Sequence, residues 1–304
     1  MAFRVNGHPP FATITLWTGL GSTAAPSSWP ERMKYAMRAA ARPLHSRSWF
    51  HLLNSEPAVR AHVARQPRTV LKIYRPYHSM ALGTRERIEL LAAHYRFISA
   101  RGLDGLAAQA SREEGVELAR FPGKSGRGLW LRLRILGTME REGELVLQLG
   151  GADGALYSAA FTIGRDGHLP VLHVGCLQGP AGEDALGQVR EVTRELHGVR
   201  PKNFLFTVLR GLGHALGARQ MRLVGNANRV VRCSMRRAKV HADYDQFWIE
   251  NGARRALDGD YRLSCIPPAA PDLVEIPSKR RAEYRRRHEL QAEVLRMAAA
   301  VFRA

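Results

Sequence analysis

Cysteine, lysine and long apolar runs are all scarce in this sequence. The three cysteines, Cys176, Cys233 and Cys265, stand far apart, with no C-x-x-C pair and no Cys/His cluster at zinc spacing. That argues against a disulfide framework and a structural zinc site. No stretch approaches the roughly 20 apolar residues of a membrane-crossing helix. The apolar segment near the start, FATITLWTGLGSTAAP, is interrupted by Thr13, Thr15 and Thr18 and preceded by one arginine, so it does not read as a secretory leader. These absences point to a cytoplasmic protein. Acidic side chains are outnumbered too, 27 against 46 basic ones, for a net charge of +19. Only six of the basic residues are lysine, so the excess is arginine. Residues 1–75 carry a net +9 and residues 277–304 a net +5, around a nearly balanced middle. Basic ends suit an anionic ligand, RNA or an anionic membrane surface, with peripheral attachment at the inner membrane, although a solvated surface is the plainer reading.

At 304 residues and 45% hydrophobic, the chain can bury one large core or two modest ones. Its first part reads as helical. PERMKYAMRAAARP opens on proline, SRSWFHLL and AVRAHVARQ follow, and TRERIELLAAHYRFIS places Ile88, Leu91, Ala92 and Tyr95 at helical spacing. Between them LKIYRPYH is expected to be extended, because Pro76 disfavours helix before it. Residues 102–126 read as loop and short helix. From Leu129 the period changes to two: LWLRLRIL, ELVLQLG, LYSAAFTIG and LPVLHVGCLQG are joined by short turns such as GADG and RDGH. That is an antiparallel meander. EDALGQVREVTRELHG and PKNFLFTVLRGLGHALG then read as helices, RQMRLVGNAN as a strand, YDQFWIENG as a short helix and GDYRLSCI as a last strand. The fold class is α+β, with a helical basic region at 1–126, a mainly antiparallel mixed sheet with helices at 127–276, and a basic C-terminal helix at 277–304.

The order meander, helix, strand, helix, strand resembles the core of the GNAT acyltransferases. That resemblance implies an acyl donor held near the helix that follows the meander, and a tyrosine on the later helix that protonates a leaving thiolate. Tyr244 matches this place. The family's R/Q-x-x-G-x-G/A signature is absent: Gln178-Gly179-Pro180-Ala181-Gly182 has neither the spacing nor the second glycine. RGLGHAL has a G-x-G, but inside a helix, where close packing is the simpler account. RPYHS, LLAAHYRFI, HVGCLQG, LHGVRPKNFL, YDQFWIENGA and DGDYRL followed by EIPSKRRAEYRRRHEL occur in this order and resemble the VirK/YbjX family of bacterial proteins. That resemblance implies a link to virulence and tolerance of antimicrobial peptides, without an agreed reaction.

Candidate chemistry concentrates in a few stretches. His241, Asp243 and Tyr244 put a base, a carboxylate and a phenol beside one helix, as catalytic candidates; the alternative is that Tyr244, Phe247 and Trp248 merely pack it. Gln178 and Gly179, in the turn GCLQGP, are candidates for holding a donor such as acyl-CoA or aminoacyl-tRNA through backbone N–H groups. Arg75 and His78 of RPYHS, with His197, Arg200 and Lys202 of HGVRPK, are candidates for binding an anionic substrate. The latter set, placed after a helix C-terminus, is also explained by the helix dipole. Asp258-Gly259-Asp260 looks like a DxD, but DG before a strand is ordinarily a turn. The last helix carries an apolar stripe at Leu290, Val294, Met297 and Val301, for docking on its own domain, a membrane or phosphates. Two functions fit: an acyl or aminoacyl transferase acting on a peptide or envelope precursor, or a non-enzymatic RNA-binding or regulatory protein.

Overall fold

The computed structural model describes residues 12–21, 28–230, 243–272 and 274–303. They fall into two compact units, Met1–Arg75 and Pro76–Ala304. The change of unit therefore lies between Arg75 and Pro76, not at residue 126.

The first unit is helical: α1 (Leu16–Leu20), α2 (Trp29–Ala40), α3 (Pro43–Ser55) and α4 (Pro57–Arg65), the last three each with proline in the first turn, where a missing N–H costs nothing. Of LKIYRPYH, expected to be extended, residues 71–74 instead lie in a 3₁₀ helix, Pro67–Tyr74. Thr69 to Tyr74 are all buried, and a tight helix with six inward residues is set by packing rather than by alternation. Trp49 Nε1 donates to the Val70 carbonyl at 3.0 Å, tying that helix to α3. The proline rule holds one residue later, for Arg75 is extended at φ −138°, ψ 163°.

The second unit has α5 (Thr84–Ala100) and α6 (Asp104–Ala110), then β1 (Val116–Pro122), β2 (Gly128–Arg134), β3 (Leu145–Gly151), β4 (Gly154–Asp166) and β5 (Leu169–Gln178). α7 (Ala185–Glu195) and α8 (Pro201–Ala215) follow, then β6 (Gln220–Leu223), α9 (Tyr244–Glu250), β7 (Arg254–Arg255), β8 (Tyr261–Ser264) and α10 (Ser278–Val301). The eight strands form one sheet ordered β1-β2-β3-β4-β5-β6-β8-β7. β1 and β7 were not legible: VELARF interrupts its alternation with a bulge at Glu117–Ala119, and β7 is two residues long. The meander is antiparallel as read, and β5 and β6 form the parallel pair, the geometry a helical crossover permits.

One sheet face is apolar. Leu145, Leu147 and Leu149 of β3, Phe161 and Ile163 of β4, and Leu172 and Val174 of β5 join Phe204, Leu205 and Leu209 of α8 in one core. The glycines of RGLGHAL serve packing: a methyl group on Gly211 would meet Leu295 of α10, and one on Gly213 would meet Leu172. α10 packs against α8 and β1 with Val294 and Ala298 buried, so much of its apolar stripe is spent within the unit.

Candidate functional site where the parallel strands part

β5 and β6 pair from Val171 with Gln220 to Val174 with Leu223, and the Val224 N–H still donates to the Val174 carbonyl at 3.0 Å. β5 then runs on to Gln178 without β6 beside it. α9 fills the opening. The Tyr244 hydroxyl accepts from the Leu177 N–H at 2.8 Å and donates to the Leu177 carbonyl at 2.9 Å. One turn on, Trp248 Nε1 donates to the Val224 carbonyl at 2.8 Å. Two aromatics at i and i+4 thus replace the missing ladder, each bound to one of the parting strands.

A bulge sets what faces the other side. Ala160 pairs with Cys176 and Phe161 with Val174, so Gly175 is the extra residue. Beyond it the alternation flips, leaving Leu177 in the apolar core and Cys176 on the opposite face, with Val146 and Ala160. A methyl group on Gly175 would run into the Glu142 carbonyl and lie 2.9 Å from His78 Nδ1. The glycine of GCLQGP that matters most here therefore answers to a close backbone approach.

That second face is polar and buried. His78, left-handed at φ 60°, places Nδ1 3.2 Å from the Glu142 carbonyl and its ring 5.4 Å from that of His173, edge on. Burial holds His78 down to about 4, against the pull of Asp260, and burial followed by His78 itself keeps His173 well below the usual imidazole range. Both are neutral rings. Burial raises the Glu142 carboxyl, opposed by its bond with Cys176 and by the nearby Arg229 and Arg141. Burial and then Glu142 push the Cys176 thiol far up, which makes it a poor nucleophile. Tyr77 and Tyr95 each donate to one oxygen of the buried Glu144 at 2.7 Å. Ser79 Oγ donates to Asp260 at 2.7 Å, and the other oxygen of Asp260 accepts from Gly225 N–H and Asn228, so this member of the DGD turn ties segments together.

The mouth of the opening is cationic and aromatic. Arg229 stands 3.9 Å from the centre of the Tyr244 ring, and Lys202 Nζ stands 3.7 Å from that of Phe247 and 5.8 Å from that of Tyr244. Burial lowers the Lys202 ammonium to about 8, with Glu250 and Asp243 pulling it back up. Arg200 is the N-cap of α8 and Lys202 lies in its first turn, which holds no acid. The dipole account suggested by the sequence is thereby reversed for these two, since cations at the positive end of a helix are unfavourable unless an anion joins them.

Several residues singled out in the sequence meet here. Gln178 and Gly179 are exposed at the end of β5. Gly179 lies against the Tyr157 ring, which in turn feels the charge of Arg200. Tyr244 and Asp243 have structural tasks. The Tyr244 hydroxyl is buried, its proton held far above the ordinary phenol range first by burial, and its bonds go to the Leu177 backbone and, at 3.6 Å, to Cys176 Sγ. Asp243 caps α9, accepting from the Gln246 N–H at 3.1 Å and from Asn226 at 2.7 Å, bonds that lower its carboxyl. His197 stands apart, at φ 53°, with its carbonyl accepting from Arg287 of α10. Arg75 belongs to the first unit, and His241 lies outside the described residues. Arg229 and Glu142 were missed. Arg229 carries no mark among 40 arginines, whereas two acids in the turn REGEL before an apolar strand were a readable signal.

The second unit is thus an α+β protein whose described residues form a mostly antiparallel eight-stranded sheet, opened at the β5–β6 parallel pair by an aromatic helix. Residues 25–299 match the family model described as a protein of unknown function (DUF535), and the chain belongs to this family, that of VirK and YbjX. The uncharacterized protein YbjX of Escherichia coli K12 is 28% identical over 276 residues, covering 90% of this chain and 83% of that protein. An uncharacterized protein of Haemophilus influenzae is 32% identical over 126 residues, 39% of this chain and 40% of that protein. Among solved structures, the cAMP-binding acyltransferase from Mycobacterium smegmatis is similar at a TM-score of 0.28 and 13% identity, over 75% of this chain and 65% of that one. A mutant of the same enzyme gives 0.30 over 70% of this chain and 61% of that chain.

Proposed function

We propose that the protein is a GNAT-like acyl or aminoacyl transferase that works on a peptide or an envelope precursor, at the mouth between β5 and β6. The observation that carries this reading is the parting of the β5–β6 parallel pair after Val174 and Leu223, in a chain with the element order of that fold. The donor, acyl-CoA or aminoacyl-tRNA, lies against Gln178 and Gly179, and its phosphates meet Arg200 at the start of α8. That cation at a helix N-terminus favours an anion twice over, through its own charge and through the free N–H groups.

Lys202 is the group suited to move the proton. With its ammonium lowered to about 8, a fraction is neutral at physiological pH. An acceptor amine attacks the donor carbonyl; the new C–N bond forms as the C–S or C–O bond to the carrier breaks. Neutral Lys202 takes the proton the nitrogen sheds and passes it to the leaving thiolate or alkoxide. Tyr244 positions β5 in this scheme, through Leu177, and is not the acid. The link to virulence and antimicrobial-peptide tolerance that the family resemblance implies suits a reaction on envelope components.

Equilibrium binding of coenzyme A and of aminoacyl-tRNA to the full chain tests the reading. One of the two is expected to bind saturably, and Arg200→Met or Gln178→Ala to weaken that binding roughly tenfold, the size of a lost charge-assisted contact. Failure of both donors to bind, or binding indifferent to both substitutions, overturns it.

A further inference from the structure

A second cationic feature lies at the β6–β8–β7 edge of the same sheet. Arg222 is directly paired with Arg262, and Arg262 with Arg254, so three arginines stand in a row across three adjacent strands. Neighbouring strands are about 4.8 Å apart, and like charges directly opposite one another destabilise a sheet. Only one relief is built in: Arg222 makes an ion pair with Asp258 at 3.4 Å. Among the described residues, no carboxylate forms an ion pair with Arg254 or Arg262. Arg262 and Arg254 of this row line a cavity of about 890 Å³, together with Arg255 and with Arg210, whose Nε donates to the Ser264 carbonyl at 2.7 Å. The apolar residues of these strands, Met221, Leu223, Tyr261 and Leu263, all point into the core on the opposite face. The arginines therefore do not serve the fold through burial.

We infer that this edge cavity is a binding site for a ligand bearing neighbouring phosphate groups, held by Arg262 and Arg254, with Arg255 and Arg210 on the same lining. Guanidinium forks match phosphate oxygens two at a time, and a pair of them one strand spacing apart is met by more than one phosphate. Binding replaces the mutual repulsion of these cations by charge-assisted hydrogen bonds. The site is separate from the mouth at Gln178, and it stands whether or not the transfer reaction does.

The test uses the full chain and inorganic pyrophosphate as the probe, followed by calorimetry at 50 and 200 mM salt. Saturable binding that weakens with salt is expected, with a loss of roughly tenfold or more in Arg262→Gln. The melting temperature of Arg262→Gln without ligand should be equal to or above that of the parent, because a repelling charge has gone. Arg285→Gln, in the basic part of α10, should leave the affinity intact. Displacement of pyrophosphate by bulk tRNA assigns the phosphates to RNA, and displacement by ATP but not by tRNA assigns them to a nucleotide. No saturable binding by the parent protein, or a folded Arg254→Gln/Arg262→Gln double variant that binds like the parent, overturns the inference.

Discussion

The centre of the sheet and its β6–β8–β7 edge handle polar groups in opposite ways. Around β5, His78, His173, Glu142 and Cys176 are buried and sit in their neutral forms or against one another, and the freed ladder groups of Leu177 are closed by Tyr244. At the edge, arginines remain charged, solvated and opposite one another. Burying a charge costs several kcal/mol unless it is paired, whereas exposing three like charges costs only tenths to about one. The centre therefore has to be geometrically exact in its partners, while the edge can keep an unfavourable arrangement ready for a ligand.

Three experiments sharpen this contrast. Gly175→Ala should have the largest effect, because its methyl group meets the Glu142 backbone and no side chain can move aside. Chemical denaturation is expected to show a loss of about 3 kcal/mol, with the bulge the first element to lose amide protection. Gly128, where a methyl group meets nothing, should accept alanine with little change.

Acid comes next. His78 in the folded protein titrates near 4 instead of 6.5, and His173 moves in the same direction. Between those values the unfolded chain binds protons that the folded one refuses, so stability is full above about 6.5 and falls as the pH drops toward 4. For His78 alone the loss approaches about 3 kcal/mol at the acid end of that window. Melting curves from pH 7 to pH 4.5 should show this decline, shallower in His78→Asn, which tolerates the left-handed backbone and cannot protonate. A flat profile would mean that the rings titrate normally.

Tyr244→Phe should give the smallest of the three changes. The ring stays, while Leu177 loses partners for both its N–H and its carbonyl, at a cost of about 2 kcal/mol. Donor turnover, once measured, should fall only as far as β5 shifts; a loss of 100-fold or more with unchanged stability would return the phenol to the chemistry.

The legible parts of the fold were those with local causes. Alternation in β2 to β5, proline at the starts of α2, α4 and α8, and the glycine stop of α7 were all readable, and the structure agrees. Residues 71–74 were misread because the six successive inward residues from Thr69 have no period to betray them. For the site, GCLQGP, RPYHS and YDQFWIENG were visible as unusual stretches. Their roles were not, since a tyrosine on a packed helix looks the same whether its hydroxyl faces a substrate or a backbone amide.

By itself the sequence determined the element types, the meander, the concentration of arginine and the family, because each depends on residues near one another or on the order of motifs. Tertiary structure alone decided that Tyr244 closes the opening of the parallel pair, that the bulge at Gly175 turns Cys176 to the polar face, and that Arg222, Arg262 and Arg254 stand in register. These depend on how the strands pair and on where α9 docks, which no local pattern records. A shift of one residue in register would have sent every one of those side chains to the other face.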